Sequence, residues 1–377
     1  MMKLDIAQYI NQDRLIETFT DLIRINSPSF NEREIGDFLK KKLEYTGCTV
    51  EFQEYDRSFN LIAIKKGTNP NIPPLLLSGH MDTIEPTEGI AFSIEEGIIR
   101  TTGNTVLGAD DKSALAQILE VLTVINEKEI PHGDLEIVFT SAEENGLFGA
   151  KNLDFTRLRR KHALVLDSSG NVGSIVIAAP THHTYEMKIT GKAAHAGIEP
   201  EKGISAIRVA ARIISEVSDG RINAGTTANI GVIKGGTATN VVPKEVIIKG
   251  ELRSQNEGDL EKTKQALFNI AEIVAKQNGA QLEIASREEY KAFRIDENDP
   301  FLRFLDETYK ECGLEPVHTT TGGGSDANIF NQNGIMAINI STGMQKVHST
   351  EEHIHIKDLY NGSVVVLSAI ASLPQFP

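Results

Sequence analysis

The sequence predicts an α/β protein built from a main domain and a smaller inserted α+β domain. Three observations carry this prediction. Residues 1–179 alternate amphipathic helical patterns with short apolar runs typical of buried strands. Residues 180–290 combine alternating strand patterns with two long helices, predicted at 204–217 and 260–276, and residues 291–377 return to the first pattern. The main domain therefore comprises 1–179 and 291–377, with 180–290 inserted between them.

The strands of the main domain are short apolar runs that end in polar or acidic residues. His80 and Asp82 follow the run 75–77, Glu143 and Glu144 follow 135–139, and Asp167 follows 163–166. Ligands commonly gather beyond the carboxyl ends of strands in sheets of this kind. We therefore expect these side chains to share one site.

Composition excludes several classes of protein. The chain has 377 residues and a net charge of -14, with acidic residues spread along it, which argues against nucleic acid and anionic membrane surfaces as partners. Residues 1–5 lack an apolar signal core, and no apolar run reaches the roughly 18 residues that span a bilayer. Cys48 and Cys312 are far apart and form no CxxC pair, which indicates neither disulfides nor a thiolate zinc site. A cytoplasmic location is expected.

Glu143 and Glu144 are neighbours in a Thr-Ser-Ala-Glu-Glu-Asn-Gly turn. Adjacent carboxylates repel each other, so a nearby cation is needed or one of them must take up a proton. A bound divalent metal supplies that cation. One glutamate can then bind metal while the other accepts a proton from metal-bound water. This division of roles predicts a metallohydrolase.

His80 and Asp82 are separated by one residue, so on a strand or its exit they point to the same side. A histidine whose second ring nitrogen is held by a carboxylate is a better-aimed metal ligand. We therefore predict that His80 binds metal and that Asp82 orients it. Taken alone, such a pair is more often a surface histidine beside an acid.

Asp110 and Asp111 precede a helical pattern whose apolar residues share one face, so they lie at a helix N-terminus. One acid there is explained by capping and by the helix dipole. Two are harder to explain in that way, and a carboxylate can bridge two metal ions about 3.5–4 Å apart. We predict that Asp110 is the bridge, that Asp111 shapes the loop, and that Lys112 offsets part of the charge.

Glu144, Asp167 and His348 complete a pair of metal sites, each with one histidine, one carboxylate of its own and the shared Asp110. Oxygen and nitrogen ligands of this kind suit zinc, and also cobalt or manganese. His353 and His355 lie close to His348 in the sequence, and the residues alone leave the choice among these three histidines open.

The order of these motifs resembles that of the dizinc exopeptidase and deacylase family, and most of all its peptidase T group. The resemblance covers nearly the whole chain and rests on the following motifs: His80-Met-Asp-Thr, Gly108-Ala-Asp-Asp-Lys, Ser141-Ala-Glu-Glu-Asn-Gly, Asp167, Gly191-Lys-Ala-Ala-His-Ala-Gly, Gly322-Gly-Gly-Ser-Asp-Ala and His348-Ser. It implies a mixed sheet with helices on both faces and an inserted lid of the dimerisation type. It also implies two metal ions held by His80, Asp110, Glu144, Asp167 and His348, with Glu143 as the general base.

The resemblance further assigns residues that contact the substrate. His195, on the lid, would polarise the scissile carbonyl or stabilise its tetrahedral intermediate, in its own or a partner subunit. Asn240, Arg253, Gly323 and Ser325 match substrate-binding positions, and Arg253 would hold a carboxylate through two parallel N–H bonds. The lid could also join two subunits in a homodimer.

The implied function is a cytoplasmic aminotripeptidase that hydrolyses the N-terminal residue from short peptides. The chain is shorter than typical members of this group, and Arg253-Ser-Gln-Asn lacks the histidine and acid that often follow, which leaves the preferred peptide length open. An N-acyl amino acid deacylase or a carboxypeptidase on the same scaffold is the alternative among enzymes. A catalytically silent metal-binding or peptide-binding protein is the other alternative, and the intact Glu143-Glu144 pair counts against it.

Overall fold

The structure is a computed structural model that describes residues 6–373. Residues 1–5, on which the argument about an export signal rests, lie outside the described residues, as do residues 374–377. No helix within residues 6–373 is both long enough and apolar enough to cross a membrane.

The chain divides into two compact units. The main unit comprises Met1–Ile177, Arg294–Thr320 and Ser325–Pro377, and the insert unit comprises Ala178–Phe293 and Thr321–Gly324. Residues 321–324, predicted to belong to the main domain, group with the insert unit, to which they are hydrogen-bonded. Gln255 Nε2 donates to the Thr321 carbonyl over 2.8 Å, and Arg253 Nη1 donates to the Gly322 carbonyl over 3.3 Å.

Nine α-helices and eighteen β-strands are formed by the described residues. The helices are α1 (Gln12–Arg24), α2 (Arg33–Tyr45), α3 (Ala109–Glu127), α4 (Phe148–Lys151), α5 (Ala206–Glu216), α6 (Glu257–Gln277), α7 (Pro300–Glu311), α8 (Asp326–Gln332) and α9 (Ile356–Ser372). The strands are β1 (Thr49–Tyr55), β2 (Ser58–Lys65), β3 (Leu75–His80), β4 (Phe92–Glu95), β5 (Ile98–Thr101), β6 (Leu135–Thr140), β7 (His162–Ser168), β8 (Ser174–Ala179), β9 (Thr181–Thr190), β10 (Gly220–Asn223), β11 (Thr226–Gly235), β12 (Glu245–Ser254), β13 (Gln281–Tyr290), β14 (Phe293–Arg294), β15 (Val317–Thr320), β16 (Met336–Ser341), β17 (Met344–Gln345) and β18 (His353–His355).

A nine-stranded mixed sheet forms the centre of the main unit, with the strand order β1-β2-β6-β3-β7-β16-β8-β14 and with β15 paired to β8. Strand β3 is parallel to β6 and β7, and β7 is parallel to β16. Every residue of β3 and β6 is buried, as expected for strands covered on both sides. Because these central strands are parallel, their carboxyl ends meet at one edge of the sheet.

The first residues of α3 include two acids, Asp110 and Asp111, that are not in helical conformation. Every residue from Ala109 to Leu122 is buried. Asp110 and Asp111 have non-helical backbone angles, so the regular helix begins after them, and the peptide bond between them is cis. Gly108, just before this segment, has φ +76°, a conformation that favours glycine. The two acids thus lie in the turn that leads into the helix.

The insert unit contains a five-stranded antiparallel sheet with the order β10-β11-β12-β9-β13. The apolar faces of α5 and α6 contribute Val209, Ile213 and Leu267 to a core shared with the strands. Helix α6 begins at Glu257, earlier than predicted, because the side chain of Asn256 caps it by accepting the N–H of Asp259.

Candidate metal centre

The carboxyl edge of the central strands brings together the six residues predicted to bind metal or act as the base. His80 ends β3, Asp110 precedes the regular part of α3, Glu143 and Glu144 follow β6, Asp167 lies in β7, and His348 lies between β17 and β18. Three sets of ligand atoms lie within 4.8 Å of one another: His80, Asp110 and Asp167; Asp110, Glu144 and His348; and His80, Glu143 and Glu144.

Asp110 lies between the two histidines. Its Oδ1 is 3.1 Å from His80 Nε2, and its Oδ2 is 3.2 Å from His348 Nε2. Asp167 Oδ1 lies 3.7 Å from His80 Nε2, and Glu144 Oε1 lies 2.9 Å from His348 Nε2. The two sets therefore share one carboxylate, and each adds a histidine and an acid of its own. This is the arrangement that the sequence predicts for a pair of metal ions, although the assignment of each ligand stays a prediction.

The electrostatics of the cluster favour a cation. Burial, reinforced by neighbouring carboxylates, raises the pKa of both Glu143 and Asp167 well above the usual range. Hydrogen bonds to Asp110 and Glu144 raise the pKa of His348 to about 10. Acids packed this closely cannot all ionise unless a positive charge is present. The donor set of imidazole nitrogens and carboxylate oxygens fits divalent ions such as zinc, cobalt or manganese.

Asp82 fixes the turn that carries the two glutamates. Its Oδ1 accepts the N–H of Glu143 over 2.9 Å, and its Oδ2 accepts the N–H of Glu144 over 3.2 Å and the hydroxyl of Ser29 over 2.7 Å. This carboxylate lies 3.4 Å from His80 Nδ1, whereas the backbone carbonyl of Asp82 lies 2.8 Å from it. With an acceptor at Nδ1, the proton is expected there, which leaves His80 Nε2 free to bind metal.

We expect Asp82→Asn to lower kcat/KM for the peptide substrate that the family resemblance implies by about 10–100-fold. Each carboxylate oxygen of Asp82 accepts one backbone N–H of the glutamate turn, so replacing one oxygen by an N–H₂ group leaves one of these N–H groups without its acceptor. Steady-state kinetics at saturating metal would measure the loss. Asp37→Asn, on an exposed position of α2, is the matched control and should stay near wild type. Equal activity of both variants would contradict the role of Asp82.

Sequence reasoning missed three buried acids around the cluster. Glu352 accepts N–H bonds from the loop that carries Asp110, and burial raises its pKa to about 7. Glu32 accepts the N–H of Ala142 over 2.8 Å, next to the glutamate turn. Asp326 accepts the Thr140 hydroxyl over 2.5 Å through Oδ2, while its Oδ1 has no hydrogen-bond partner among the described residues.

The sequence carries a signal for one of these acids. Asp326 belongs to the Gly-Gly-Gly-Ser-Asp-Ala motif that also contains the predicted substrate-binding residues Gly323 and Ser325. In the structure Ser325 precedes α8, its N–H is accepted by Asn328 Oδ1, and its hydroxyl accepts from Asn339 Nδ2 over 3.1 Å. These bonds give Ser325 a structural role beside the predicted role in substrate binding.

Four predicted substrate-binding residues belong to the insert unit. The N–H of Ala196, next to His195, is accepted by the Asn240 carbonyl over 2.9 Å, so these two predicted residues lie on adjoining loops. His195 Nδ1 accepts the N–H of Gly197 over 3.2 Å. The N–H of Gly323 is accepted by Thr321 Oγ1 over 3.1 Å.

The fourth residue, Arg253, donates hydrogen bonds to partners within the insert unit. Its Nε and Nη2 donate to Glu251 over 3.0 and 3.2 Å. Its Nη1 donates to the Gly322 carbonyl over 3.3 Å and to the Tyr290 hydroxyl over 3.4 Å. Four of the five N–H groups of Arg253 therefore have partners inside the insert unit, and its role in holding a substrate carboxylate stays a prediction.

Glu251 should stabilise the insert unit in a pH-dependent way. Bonds to His182 and Arg253 lower the pKa of Glu251 to about 2 from 4.5. The folded value lies below the unfolded one, so the contribution is complete above pH 4.5 and is lost as the pH falls towards 2. We expect Glu251→Gln to lower the free energy of unfolding at pH 7 by about 1 kcal/mol, discounted because the carboxylate is partly exposed.

Urea unfolding at several pH values would test this expectation. The difference between Glu251→Gln and wild type should shrink below pH 4.5. Glu245→Gln, on the same strand with an exposed pair to Lys188, is the matched control and should change stability by less than about 0.5 kcal/mol. A difference that is unchanged between pH 7 and the acid range would contradict the assignment.

Two histidines and several carboxylates at the strand ends of a mixed α/β sheet define a metallohydrolase. Residues 177–279 match the family model described as the peptidase dimerisation domain, and residues 60–196 match the model of peptidase family M28. The chain is 38% identical to the uncharacterized protein YqjE of Bacillus subtilis over 96% of this chain and 98% of the relative. It is 29% identical to peptidase T of Escherichia coli over 73% of this chain and 68% of the relative.

Solved structures agree with this similarity. Aminopeptidase PepT from Bacillus cereus matches with a TM-score of 0.89 and 38% identity, over 97% of this chain and 99% of that one. A tripeptidase from Staphylococcus aureus matches with a TM-score of 0.93 and 37% identity, over 97% and 100%. The chain belongs to the M20 peptidase family, in its peptidase T-like group. The predicted resemblance, the mixed α/β fold class and the class of metallopeptidase are thereby confirmed.

Proposed function

We propose that this protein is a metal-dependent aminopeptidase that releases the N-terminal residue of short peptides, tripeptides above all. The observation that carries the proposal is the sharing of Asp110 between two ligand sets, with Glu143 next to them. The near full-length similarity to an aminopeptidase and a tripeptidase supports peptides as the substrate class.

We assign His80, Asp110 and Asp167 to one metal ion and Asp110, Glu144 and His348 to the other. The ligand types favour zinc, with cobalt or manganese as alternatives. When bound, such ions would make hydroxide available from water at neutral pH and stabilise the charge on the carbonyl oxygen.

Glu143 is the proposed general base. Its carboxyl group is buried beside His80, and Asp82 holds its backbone N–H. It takes the proton of the attacking water and returns that proton to the leaving amine. The substrate-contacting roles of His195, Asn240, Arg253, Gly323 and Ser325 are carried into this proposal as the family resemblance assigns them.

Substrate comparison tests the function. The purified enzyme, loaded with zinc or cobalt, should release the first residue of a tripeptide, and N-acetylation of the same tripeptide should stop the reaction. Dipeptides and N-acyl amino acids should react more slowly. Release of the C-terminal residue would show a carboxypeptidase, and preference for N-acyl amino acids would show a deacylase. Absence of hydrolysis of all four substrates would overturn the proposal of an enzyme.

We also propose that two copies of the chain pair through the insert unit. Strand β10 pairs with β11 only near its start, at Thr226–Ala228, and Asp219 accepts the N–H of Ile230, so among the described residues the stretch 231–235 has one open edge. Val232 and Ile233 on this stretch are 48% and 54% exposed. An open strand edge with exposed apolar side chains is a ready site for pairing with another strand. The match to a peptidase dimerisation domain supports a second copy as the partner.

Light scattering coupled to gel filtration tests this pairing. Wild type should be dimeric, and the double substitution Val232→Lys with Ile233→Lys should be monomeric. Ile273→Lys, at an equally exposed apolar position on α6, is the matched control and should stay dimeric. A monomeric wild type, or a dimer that survives the double substitution, would overturn the proposal.

A further inference from the structure

Glu352 is a buried acid with no role in the reaction described above. Its side chain is inaccessible, with the residue 1% exposed. Its Oε2 accepts the N–H of Leu107 over 2.7 Å and that of Gly108 over 2.8 Å, and its Oε1 accepts the N–H of Asp110 over 3.0 Å. One carboxylate thus satisfies three backbone donors of the loop that carries the shared metal ligand.

This loop depends on such a partner. Asp110 and Asp111 are non-helical, and Gly108 has a positive φ, so the loop does not have the backbone geometry of a helical first turn. Buried N–H groups without an acceptor are costly, and a carboxylate forms shorter and stronger bonds with them than a neutral group does. The bond to the N–H of Asp110 also fixes the backbone from which its side chain extends towards both histidines.

Glu352 connects this loop to the segment that carries His348. It lies four residues after His348, on the segment that leads into β18. The same short segment therefore supplies one predicted ligand and holds the backbone of another. His348 Nε2 and Asp110 Oδ2 are 3.2 Å apart, so a shift of either segment would change the spacing of the two ligand sets.

We propose that Glu352 is a positioning residue of the metal centre, which sets the place of Asp110 through three backbone hydrogen bonds and thereby sets the affinity for the metal ions. The proposal rests on the proposed function, because Asp110 and His348 are metal ligands only within it. Glu352 acts through Asp110 and contacts neither substrate nor the reacting atoms. Partners of this kind commonly change metal affinity or activity by about 10–100-fold when they are replaced.

Three variants separate hydrogen bonding from charge. Glu352→Gln keeps the size of the side chain but replaces one acceptor oxygen by an N–H₂ donor, so at least one of the three backbone N–H groups loses its acceptor. Glu352→Asp keeps the charge but shortens the reach by one methylene group. Glu351→Gln is the matched control, because this neighbour is exposed and pairs only with Lys346 among the described residues.

The experiment measures metal binding by the full chain. Each protein is freed of metal with a chelator and titrated with cobalt(II), with calorimetry for stoichiometry and Kd and visible absorption for ligand geometry. Wild type and Glu351→Gln should bind two ions with the same affinity. Glu352→Gln and Glu352→Asp should bind cobalt about 10–100-fold more weakly with an altered absorption spectrum. At saturating metal, KM for a tripeptide should remain within about twofold of wild type, because Glu352 does not touch the peptide.

Several results would overturn the proposal. These are wild-type affinity and spectrum in Glu352→Gln, an equal loss in Glu351→Gln, or full affinity in Glu352→Asp, which would assign the effect to charge alone. Circular dichroism of the metal-free proteins checks folding. Should the variants not fold, hydrogen exchange in wild type decides: slow exchange at residues 107, 108 and 110 supports the three bonds, and fast exchange refutes them. A wild type that binds no cobalt would contradict the proposed function itself, which is a distinct result.

Discussion

Glu143→Gln is expected to keep both metal ions and to lose most of its turnover. The amide cannot accept the proton of the attacking water, and general-base catalysis of this kind contributes about 10²–10⁴-fold. The backbone N–H of residue 143, which Asp82 accepts, is unchanged by the substitution, so the turn should keep its position. Metal content by mass spectrometry and kcat with a tripeptide would measure the two effects separately.

Glu144→Gln is the control for this prediction, because it makes the same chemical change one residue further along the same turn. Glu144 Oε1 lies 2.9 Å from His348 Nε2, within a predicted ligand set. Its variant should bind one ion more weakly and should regain activity as metal is added. Glu143→Gln should not respond to added metal. Full activity in Glu143→Gln, or its recovery at high metal concentration, would refute the assignment of the base.

The main features of the site could be predicted from the sequence because they follow from the order of strands. His80, Glu143 and Asp167 come directly after buried apolar runs, and parallel strands place such residues at one edge. The choice of His348 could not be made from local pattern. His353 and His355 lie within a few residues, and the family resemblance was needed to select His348. In the structure His348 lies between Asp110 and Glu144, while His353 Nδ1 contacts the backbone carbonyl of Glu351.

The carboxylates that hold backbone N–H groups of the site, those of Asp82 and Glu352, could not be predicted in this way. The bond from Glu143 N–H to Asp82 joins residues 61 positions apart, and that from Gly108 N–H to Glu352 joins residues 244 apart. No local periodicity records such contacts. The pairing of Arg253 with Glu251, by contrast, could have been predicted from the sequence. Glu251 is two residues away on the same strand, so both side chains lie on the same face of the sheet. That spacing could have indicated that Arg253 pairs with Glu251.

Asp110→Asn is expected to remove the ability to hold two ions at once. The two oxygens of Asp110 face different histidines, Oδ1 towards His80 and Oδ2 towards His348, at 3.1 and 3.2 Å. An asparagine has one carbonyl oxygen and an N–H₂ group that cannot bind a cation. Activity should fall on the order of 10²–10³-fold or more, since a pair of ions stabilises both the nucleophile and the oxyanion. Cobalt titration of the metal-free protein should give at most one tightly bound ion.

Asp111→Asn is the matched control for this prediction, because it changes the next residue in the same buried loop. Asp111 Oδ2 accepts the N–H of His80 over 3.1 Å, and an asparagine carbonyl can still accept that bond. This variant should therefore still bind two ions and lose less than about tenfold in kcat/KM. A variant Asp110→Asn that binds two ions as tightly as wild type would show that the two ligand sets do not share this carboxylate. The same loss in both variants would instead indicate that the loop responds to any change of charge, since both substitutions remove one negative charge but only Asp110 faces the two histidine rings.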